Sequence, residues 1–209
     1  MTKFLVVFDV DSTLINDEAI ELLAERAGKR QEVAEVTSRA MRGELDFEES
    51  LRQRVLTLKG LDEAVLGEVS HQLSPTKGAR ELIEAIHERG GKAAAVSGGF
   101  IQLLTPIKQK LNVDMERANT LEVVDGKLTG QVIGKVIDRA AKADALLEWA
   151  KQLEVSLDST IAVGDGANDL GMMEVAGLSV AFCAKPVVQE KAKIALNERD
   201  LSMLIQLLP

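Results

Sequence analysis

Acidic residues follow two short apolar runs of the sequence, and their spacing suits a metal-assisted reaction. The run at residues 4–8 ends at Asp9, with Asp11 two positions later, and a second run is followed by Asp165. Buried strands of α/β proteins carry their reactive groups at the carboxyl edge of the sheet, so neighbouring strands would bring these aspartates together. Carboxylates buried without a partner are costly and usually hold a cation. The pattern predicts an oxygen-lined magnesium site.

A phosphate ester is a natural substrate for such a site. Asp9 would attack phosphorus and form an aspartyl-phosphate, while Asp11 would protonate the leaving oxygen and later activate water. Each aspartate alone could simply cap a helix. Three of them at strand ends favour the metal site.

Two further segments offer groups that bind or neutralise a phosphate. Ser97 and Gly98 follow an alanine-rich strand, where glycines let backbone amides approach an anion, although an ordinary turn is the alternative. Lys142 lies near the start of a predicted helix, a position that is mildly unfavourable for a cation and that a role elsewhere could explain. Without the acidic residues, a solvated surface lysine would be the better interpretation.

Two other motifs fit the sequence poorly. Gly164 and Gly166 follow a strand as in a dinucleotide-binding loop, but Asp169 replaces the third glycine. Residues 9–13 begin like a calcium loop, yet Leu14 stands where that loop requires glycine.

The composition excludes several classes of protein. Hydrophobic residues make up 46% of the 209 residues and charged residues 28%, which argues against disorder. The net charge of −8 argues against nucleic acid or an anionic membrane as partner, because both require a basic surface. Aromatic residues, at 3%, also disfavour stacking on single strands.

The single cysteine, Cys183, lies in an apolar run and permits no internal disulfide. This predicts a buried, inert thiol and a reducing compartment. The sequence has neither a signal-peptide pattern nor an apolar stretch near the roughly 20 residues of a membrane helix. We expect a soluble, cytoplasmic protein.

The elements that position these residues alternate between strand and helix, with one interruption. After Thr13 a charged region of helical periodicity runs to about Gln72, which predicts a helical insert. Later strands are predicted at 92–96, 160–163 and 178–182, helices at 79–89, 101–111 and 141–152, and a closing helix after Asp200. Residues 120–132 predict a β-hairpin around Asp125-Gly126.

These elements predict an α/β fold with a doubly wound, mainly parallel sheet. The core would comprise residues 1–13 and 76–209. A small helical cap domain, residues 14–75, would be inserted after the first strand.

The motifs together resemble those of the haloacid dehalogenase superfamily. They are Asp9-Val10-Asp11-Ser12-Thr13, the strand-end Ser97, Lys142 and the acidic run at 164–169, in that order. The likeness extends from Phe8 almost to the carboxyl end. It implies a Rossmann-like core and a magnesium-dependent phosphatase that converts O-phosphoserine to serine and phosphate, the last step of serine biosynthesis.

The resemblance also implies roles for individual residues. Asp9 would be the nucleophile and Asp11 the proton donor, with Mg²⁺ held by the Asp9 and Asp165 carboxylates and the Asp11 carbonyl. The expected phosphate contacts are Ser97, Gly98, Lys142 and Asn168. Asp169 would hold a metal-bound water or orient Lys142.

From the insert, the resemblance implies that Glu18 and Arg54 recognise the substrate. Free phosphoserine offers an ammonium group for Glu18 and a carboxylate for Arg54, whose planar fork can bind it bidentately. Phe47 would shield the site from water. The sequence departs from the family at Ala143, where relatives commonly have glycine.

Other functions remain open from the sequence. The core chemistry would equally serve a phosphatase or phosphotransferase acting on another small phosphomonoester. A phosphoacceptor signalling module or a non-catalytic binding protein would use similar residues. The partner expected is a small-molecule substrate, not nucleic acid or a membrane, and the protein would be a monomer or homodimer.

Overall fold

The computed structural model describes residues 2–42 and 44–209, and within them a seven-stranded β-sheet forms the centre of the fold. The strands are β1 Leu5–Phe8, β2 Lys92–Phe100, β3 Met115–Val124, β4 Lys127–Ile133, β5 Thr160–Gly164, β6 Leu178–Phe182 and β7 Ile194–Leu196. Their spatial order is β4-β3-β2-β1-β5-β6-β7. Strand β4 runs antiparallel to β3, and the other neighbouring pairs are parallel.

Helices cover both faces of this sheet and form the insert after β1. They are α1 Ala19–Arg26, α2 Arg30–Met41, α3 Phe47–Leu56, α4 Ala64–Gln72, α5 Ala79–Glu88, α6 Ile101–Leu111, α7 Arg139–Gln152, α8 Leu170–Val175 and α9 Pro186–Gln189. Short 3-10 segments lie at Leu157–Ser159, Ala167–Asp169 and Leu201–Leu207. The doubly wound, mainly parallel sheet confirms the predicted fold class.

The sheet has a buried core on each face because side chains of a strand alternate between faces. Phe4, Val6 and Phe8 pack in one apolar cluster together with the buried face of α5. Leu5 and Val7 pack in the other with α7. Strand β1 is therefore buried on both sides, as expected for a central strand of a parallel sheet.

The residues predicted to form the cap fold into helices α1 to α4. The chain enters and leaves this insert side by side: the Asn16 N–H donates to the Ser74 carbonyl and the Thr76 N–H to the Leu14 carbonyl, both at 2.9 Å. Apolar side chains of α1, α3 and α4 pack into the larger cluster. The division of the chain into a core and a separate cap domain at residues 14–75 stays a prediction.

The far end of the insert, in the turn between α3 and α4, is bonded to the hairpin of the core. The Gly60 N–H donates to the Leu128 carbonyl at 2.8 Å, and the Leu128 N–H donates to the Leu61 carbonyl at 2.9 Å. The Glu63 N–H donates to the Gly126 carbonyl at 2.8 Å. The insert is thus attached to the sheet at its two chain crossings and at its opposite end.

Several predicted elements agree with the structure. Helix α6 and strand β6 have the predicted bounds. Strands β3 and β4 confirm the hairpin, and Asp125 and Gly126 both adopt positive φ, at 50° and 71°. Asp46 caps α3, since its side chain accepts the Glu49 N–H.

Other elements differ from the sequence prediction. Strand β2 continues to Phe100 instead of ending at residue 96, because the backbone of residues 97–99 stays extended and pairs again with β3 at Asn119. The sequence does not predict α9 or β7, which are four and three residues long and too short for a periodic pattern. The closing helix after Asp200 is a 3-10 helix.

Cys183 is half-buried, whereas the sequence predicts a fully buried thiol. It follows β6 in a left-handed conformation, with φ of 47°, and its N–H donates to the Leu196 carbonyl of β7 at 2.7 Å. No helix within residues 2–42 and 44–209 combines the length and the apolar character that a membrane crossing requires.

Candidate active site

Three aspartates meet at the carboxyl edge of the sheet. Asp9 follows β1 and Asp165 follows β5, and these strands are paired neighbours in register. The Asp9 N–H donates to the Val163 carbonyl at 2.9 Å, which extends the pairing beyond the strand end. Asp169 lies in the 3-10 turn after Asp165, and one carboxylate oxygen from each aspartate lies within 4.8 Å of the others.

Lys142 joins two of these carboxylates. Its Nζ donates to Asp9 Oδ1 at 2.5 Å and to Asp169 Oδ1 at 2.6 Å, and the lysine is fully buried. The second oxygen of Asp169 accepts the N–H groups of Asp165 and Gly166, both at 3.0 Å. Asp169 therefore bonds both to Lys142 and to the loop that carries Asp165.

The negative charge of the aspartate cluster is only partly neutralised by lysine side chains. Burial opposes the charge of Lys142, but the carboxylates of Asp169 and Asp9 outweigh it and raise the pKa of the lysine, which stays protonated. Burial, together with the repulsion from Asp169, raises the pKa of Asp9 and raises that of Asp165 to about 7. Lys142 is hydrogen-bonded to two of the three carboxylates, Asp9 and Asp169, and the charge of Lys185 also acts on Asp165.

The donor set fits a divalent cation. The carboxylate oxygen Oδ1 of Asp165 is buried and has no hydrogen-bond partner anywhere in the described chain. A buried polar atom without a partner requires an explanation, and a bound ion is one that suits a carboxylate. A cation at the three aspartates would supply both the missing charge and the missing contact, and hard carboxylate oxygens are suitable ligands for it. The acidic cluster could therefore hold a metal ion.

Asp11 occupies a different position from these three aspartates. It lies in the tight turn Val10–Leu14, where Ser12 adopts a positive φ of 56°. Asp11 Oδ1 accepts the Ala19 N–H at 2.8 Å, and its other oxygen lies 3.5 Å from Ser97 Oγ. Burial raises the pKa of the Asp11 carboxyl, which favours its protonated form.

The segment predicted to approach a phosphate is fixed by internal hydrogen bonds. The Gly99 N–H donates to Ser97 Oγ at 2.8 Å, and the Asn119 side-chain amide donates to the Gly98 carbonyl at 2.8 Å. A Cβ atom at Gly98 would lie 2.7 Å from the ring of Phe47. Because glycine has no side chain, the ring of Phe47 can pack directly against the backbone at Gly98.

A cavity lies between the insert and the carboxyl edge of the sheet. The predicted site residues that line it are Asp9, Asp11, Glu18, Phe47, Arg54, Gly98 and Asn168. Those that lie outside its lining, as buried supports, are Ser97, Lys142, Asp165 and Asp169. The fold thus brings the predicted residues of core and insert to one place.

The insert contributes one acidic and one basic group to this cavity. Glu18 Oε1 accepts the Ser12 hydroxyl at 2.6 Å, and burial, followed by the charge of Asp11, raises the pKa of Glu18. Arg54 is 6% exposed, and burial lowers its pKa. Within the described chain, neither group has an oppositely charged side chain within 4.0 Å. The cavity therefore presents an unpaired carboxylate and an unpaired guanidinium.

Sequence reasoning missed three residues that shape this site. Ser12 donates to Glu18, Asn119 holds the Gly98 carbonyl, and Thr37 accepts a hydrogen bond from Arg54. Ser12 could have been found from its place inside the acidic motif. Thr37 and Asn119 carry no local signal, because only the packing of distant segments gives them their partners.

Comparisons with known proteins agree with this geometry. A family model described as haloacid dehalogenase-like hydrolase matches residues 6–174. A phosphoserine phosphatase of Streptomyces coelicolor is 53% identical over 204 residues, which are 98% of this chain and 50% of that protein. One of Streptococcus thermophilus is 47% identical over 206 residues, which are 99% of this chain and 96% of that protein. The chain thus spans half of the first relative and nearly all of the second.

Solved structures show the same fold. The structure of a phospho-aspartyl intermediate analogue of phosphoserine phosphatase superposes with a TM-score of 0.97 at 45% identity, and the match covers 100% of both chains. The family model covers most of the sequence, and the relatives match it almost from end to end. The chain therefore belongs to the haloacid dehalogenase-like hydrolase family.

Proposed function

We propose that the protein is a phosphoserine phosphatase, which hydrolyses O-phosphoserine to serine and phosphate as the last step of serine biosynthesis. The observation that carries this proposal is the cavity in which unpaired Glu18 and unpaired Arg54 lie beside Asp9. The names of the relatives and of the solved structure support the same activity.

The charges of the cavity complement those of phosphoserine. The substrate carries an ammonium group, a carboxylate and a phosphate. Glu18 would accept hydrogen bonds from the ammonium group, and Arg54 would bind the carboxylate with two parallel N–H donors. Neither group forms a direct ion pair within the described chain, although Glu18, Asp11 and Glu21 all act on the charge of Arg54, and a ligand would complete the contacts of both groups.

Asp9 would attack phosphorus, and the bond from phosphorus to the serine oxygen would break. Lys142 binds one carboxylate oxygen of Asp9, which orients the group and leaves its other oxygen available. Asp11 would give its proton to the departing serine oxygen. The Asp11 carboxylate would then take a proton from the water that attacks the aspartyl-phosphate, which releases phosphate and restores Asp9.

The phosphate would be bound by the groups that surround Asp9. Ser97, Gly98, Lys142 and Asn168 are the proposed contacts, and they supply donors or positive charge on different sides of the reacting group. These interactions would offset the repulsion between an anionic nucleophile and an anionic ester.

Mg²⁺ is the proposed cofactor, held by the carboxylates of Asp9 and Asp165 and by the backbone carbonyl of Asp11. When bound, it would neutralise negative charge on the phosphate and on the carboxylates around it. Asp169 would support the site through Lys142 and through the loop N–H groups that it binds.

The helical insert, residues 14–75, would act as a cap domain that encloses the substrate. It carries Glu18 and Arg54, and it places the ring of Phe47 against Gly98 at the cavity. Exclusion of water by this ring would strengthen the electrostatic contacts inside. A cytoplasmic location and a monomeric or homodimeric state complete the proposal.

Phosphate release from O-phosphoserine tests the proposal directly. The wild-type protein should complete many turnovers with Mg²⁺ and none with a chelator in excess, and Asp9→Asn should abolish turnover. Asp144→Asn, at an exposed position on α7, is the matched control. A fully active Asp9→Asn protein would exclude the assigned nucleophile, and labelling that stops after one turnover would indicate a signalling module.

A second assay tests the substrate. O-Phosphoethanolamine has the ammonium group and the phosphate but lacks the carboxylate. The wild-type protein should strongly prefer phosphoserine, and Arg54→Ala should remove most of that preference. Equal activity on both esters in the wild type would point to a phosphatase for another phosphomonoester.

A further inference from the structure

Arg54 is a buried cation whose guanidinium group is held by two neutral oxygens. Its Nε donates to the Ser50 carbonyl at 3.1 Å, and its Nη1 donates to Thr37 Oγ1 at 3.0 Å. Across residues 2–42 and 44–209, Nη2 has no hydrogen-bond partner, although the residue lines the cavity. Two nitrogens are therefore fixed by the protein, and the third is available to a ligand.

The contact with Thr37 differs from the contact with Ser50 because it links two helices. Ser50 and Arg54 both belong to α3, so their hydrogen bond fixes only the stem of the arginine within its own helix. Thr37 belongs to α2 and is 3% exposed. A buried β-branched side chain has few rotamers, so its oxygen is a fixed acceptor. This acceptor determines how the plane of the guanidinium is turned.

A hydroxyl group orients the guanidinium without neutralising it. A carboxylate at the position of Thr37 would form an ion pair with Arg54 and would compete with the carboxylate of a ligand. A neutral oxygen leaves the positive charge available. The arginine also loses its rotamer entropy on folding instead of on binding, which favours affinity.

We propose that Thr37 is the positioning residue for Arg54, and that it holds the guanidinium in the orientation that accepts the carboxylate of the substrate. The proposal rests on the function proposed above, in which Arg54 binds the carboxylate of the substrate. It predicts that the Thr37 hydroxyl contributes to the preference for phosphoserine without contacting the phosphate.

Two variants separate the hydroxyl group from the volume that it occupies. Thr37→Val removes the hydroxyl at nearly constant volume, and Thr37→Ser keeps it. KM and kcat are measured for O-phosphoserine and for O-phosphoethanolamine. Loss of a hydrogen bond to a charged group should raise KM for phosphoserine about tenfold in Thr37→Val. The value of kcat should stay within about twofold, because ground state and transition state lose the same contact.

The controls define the specificity of the effect. KM for phosphoethanolamine should not change in Thr37→Val, and Thr37→Ser should behave like the wild type. In an Arg54→Ala background, Thr37→Val should add nothing, because both residues act through one contact. An equal rise in KM for both esters, or an equal loss in Thr37→Ser, would overturn the proposal and leave Thr37 a purely structural role.

A spectroscopic measurement tests the positioning without any turnover. The side-chain Nη1–H signal of Arg54, which belongs to the nitrogen that donates to Thr37, is assigned in a nitrogen-15 spectrum by its disappearance in Arg54→Lys. Thr37→Val should shift and broaden this signal, whereas Thr37→Ser should preserve it. An unchanged signal in Thr37→Val would overturn the proposal whatever the substrate.

The two measurements also separate the two proposals. If the wild type does not hydrolyse phosphoserine but the signal depends on the hydroxyl, the proposed function is wrong and Thr37 still positions Arg54. If the wild type is active and the Arg54 signal is the same in the wild type and in Thr37→Val, only the inference about Thr37 is wrong. Thermal unfolding verifies that each variant folds, and Thr37→Ala carries the same tests should Thr37→Val not fold.

Discussion

Asp11 Oδ1 accepts the backbone N–H of Ala19 at 2.8 Å, so the carboxyl group proposed to move protons is bonded to the first residue of helix α1. Glu18, the proposed ligand of the substrate ammonium group, is the residue immediately before it. The start of the insert thus positions a proton-transfer group and a substrate-binding group through neighbouring residues.

This relationship makes Asp11→Asn an informative variant. Asparagine can still accept the Ala19 N–H, so the turn should keep its geometry, but it cannot give a proton to the leaving serine oxygen. Single-turnover phosphorylation of the enzyme by phosphoserine should slow by about 100-fold to 10,000-fold, the usual contribution of a general acid. Acetyl phosphate, whose leaving group needs no proton, should react with a much smaller loss. Equal losses with both donors would contradict the assignment of Asp11 as acid.

Lys142 should be essential for stability as well as for activity. It is fully buried between Asp9 and Asp169, so Lys142→Met leaves buried carboxylates without their cation. Breaking such a pair should lower the free energy of unfolding by about 3–5 kcal/mol, measured by urea unfolding with chelator present.

Lys135→Met is the matched control for that experiment. The ion pair of Lys135 with Asp144 is 3.4 Å long, and both side chains are more than half exposed. Its loss should change the free energy of unfolding by less than about 1 kcal/mol. Similar effects of the two substitutions would show that burial of the Lys142 cluster has little energetic importance.

Magnesium binding should stabilise the folded protein through Asp165. An ion that binds only the folded state at 100 times its Kd adds about 2.7 kcal/mol, so the thermal midpoint of the wild type should rise with Mg²⁺. Asp165→Asn removes the anionic oxygens at the unpartnered position and should lose most of that rise. Asp158→Asn, on an exposed 3-10 turn, should keep it. The quantity compared is the rise of the thermal midpoint when Mg²⁺ is added. If Asp165→Asn shows the same rise as the wild type, Asp165 is not the ligand.

Asp200 should make stability depend on pH in the acidic range. Hydrogen bonds from Lys77 at 2.8 Å and from Ser202 lower the pKa of Asp200 from 3.8 to about 2. A carboxyl group with a lowered pKa stabilises the folded state above its unfolded pKa, and this stabilisation disappears as the pH falls through the folded pKa. The difference in unfolding free energy between wild type and Asp200→Asn should therefore shrink as the pH falls from 3.8 to about 2.

Urea unfolding at several pH values across that interval measures the effect. Lys77→Met removes the first hydrogen bond and should reduce the pH dependence of the same difference. A difference that stays constant across the interval would contradict the role of Asp200.

Much of the architecture could be predicted because the sequence patterns are local. Helix α6 has an apolar stripe of helical period, and the hairpin has a turn dipeptide that tolerates positive φ, so both were predictable from neighbouring residues. Strand β2 extends further than expected because its end is determined by pairing with β3, which lies outside the local pattern. The short β7 depends in the same way on its pairing with β6.

The residues of the candidate site were likewise predictable only where the local sequence carries a signal. Asp9 and Asp165 were predictable because each directly follows an apolar strand, and the pairing of β1 with β5 then brings them together. Lys142 illustrates the limit, because its local sequence fits a surface lysine and only the fold buries it between two carboxylates. Thr37 was not predictable at all, since its role depends on how α2 packs against α3.

The hydrogen bonds between the turn after α3 and the hairpin have a consequence for substrate exchange. Backbone hydrogen bonds join Gly60, Leu61 and Glu63 to β4 and to the turn before it. Because of these bonds, the insert cannot rotate away from the sheet as a rigid body unless they break. Motion that leaves these bonds intact is confined to the segments of the insert between the bonded points. A ligand would then enter by displacement of these segments, while the bonded points of the insert stay in place.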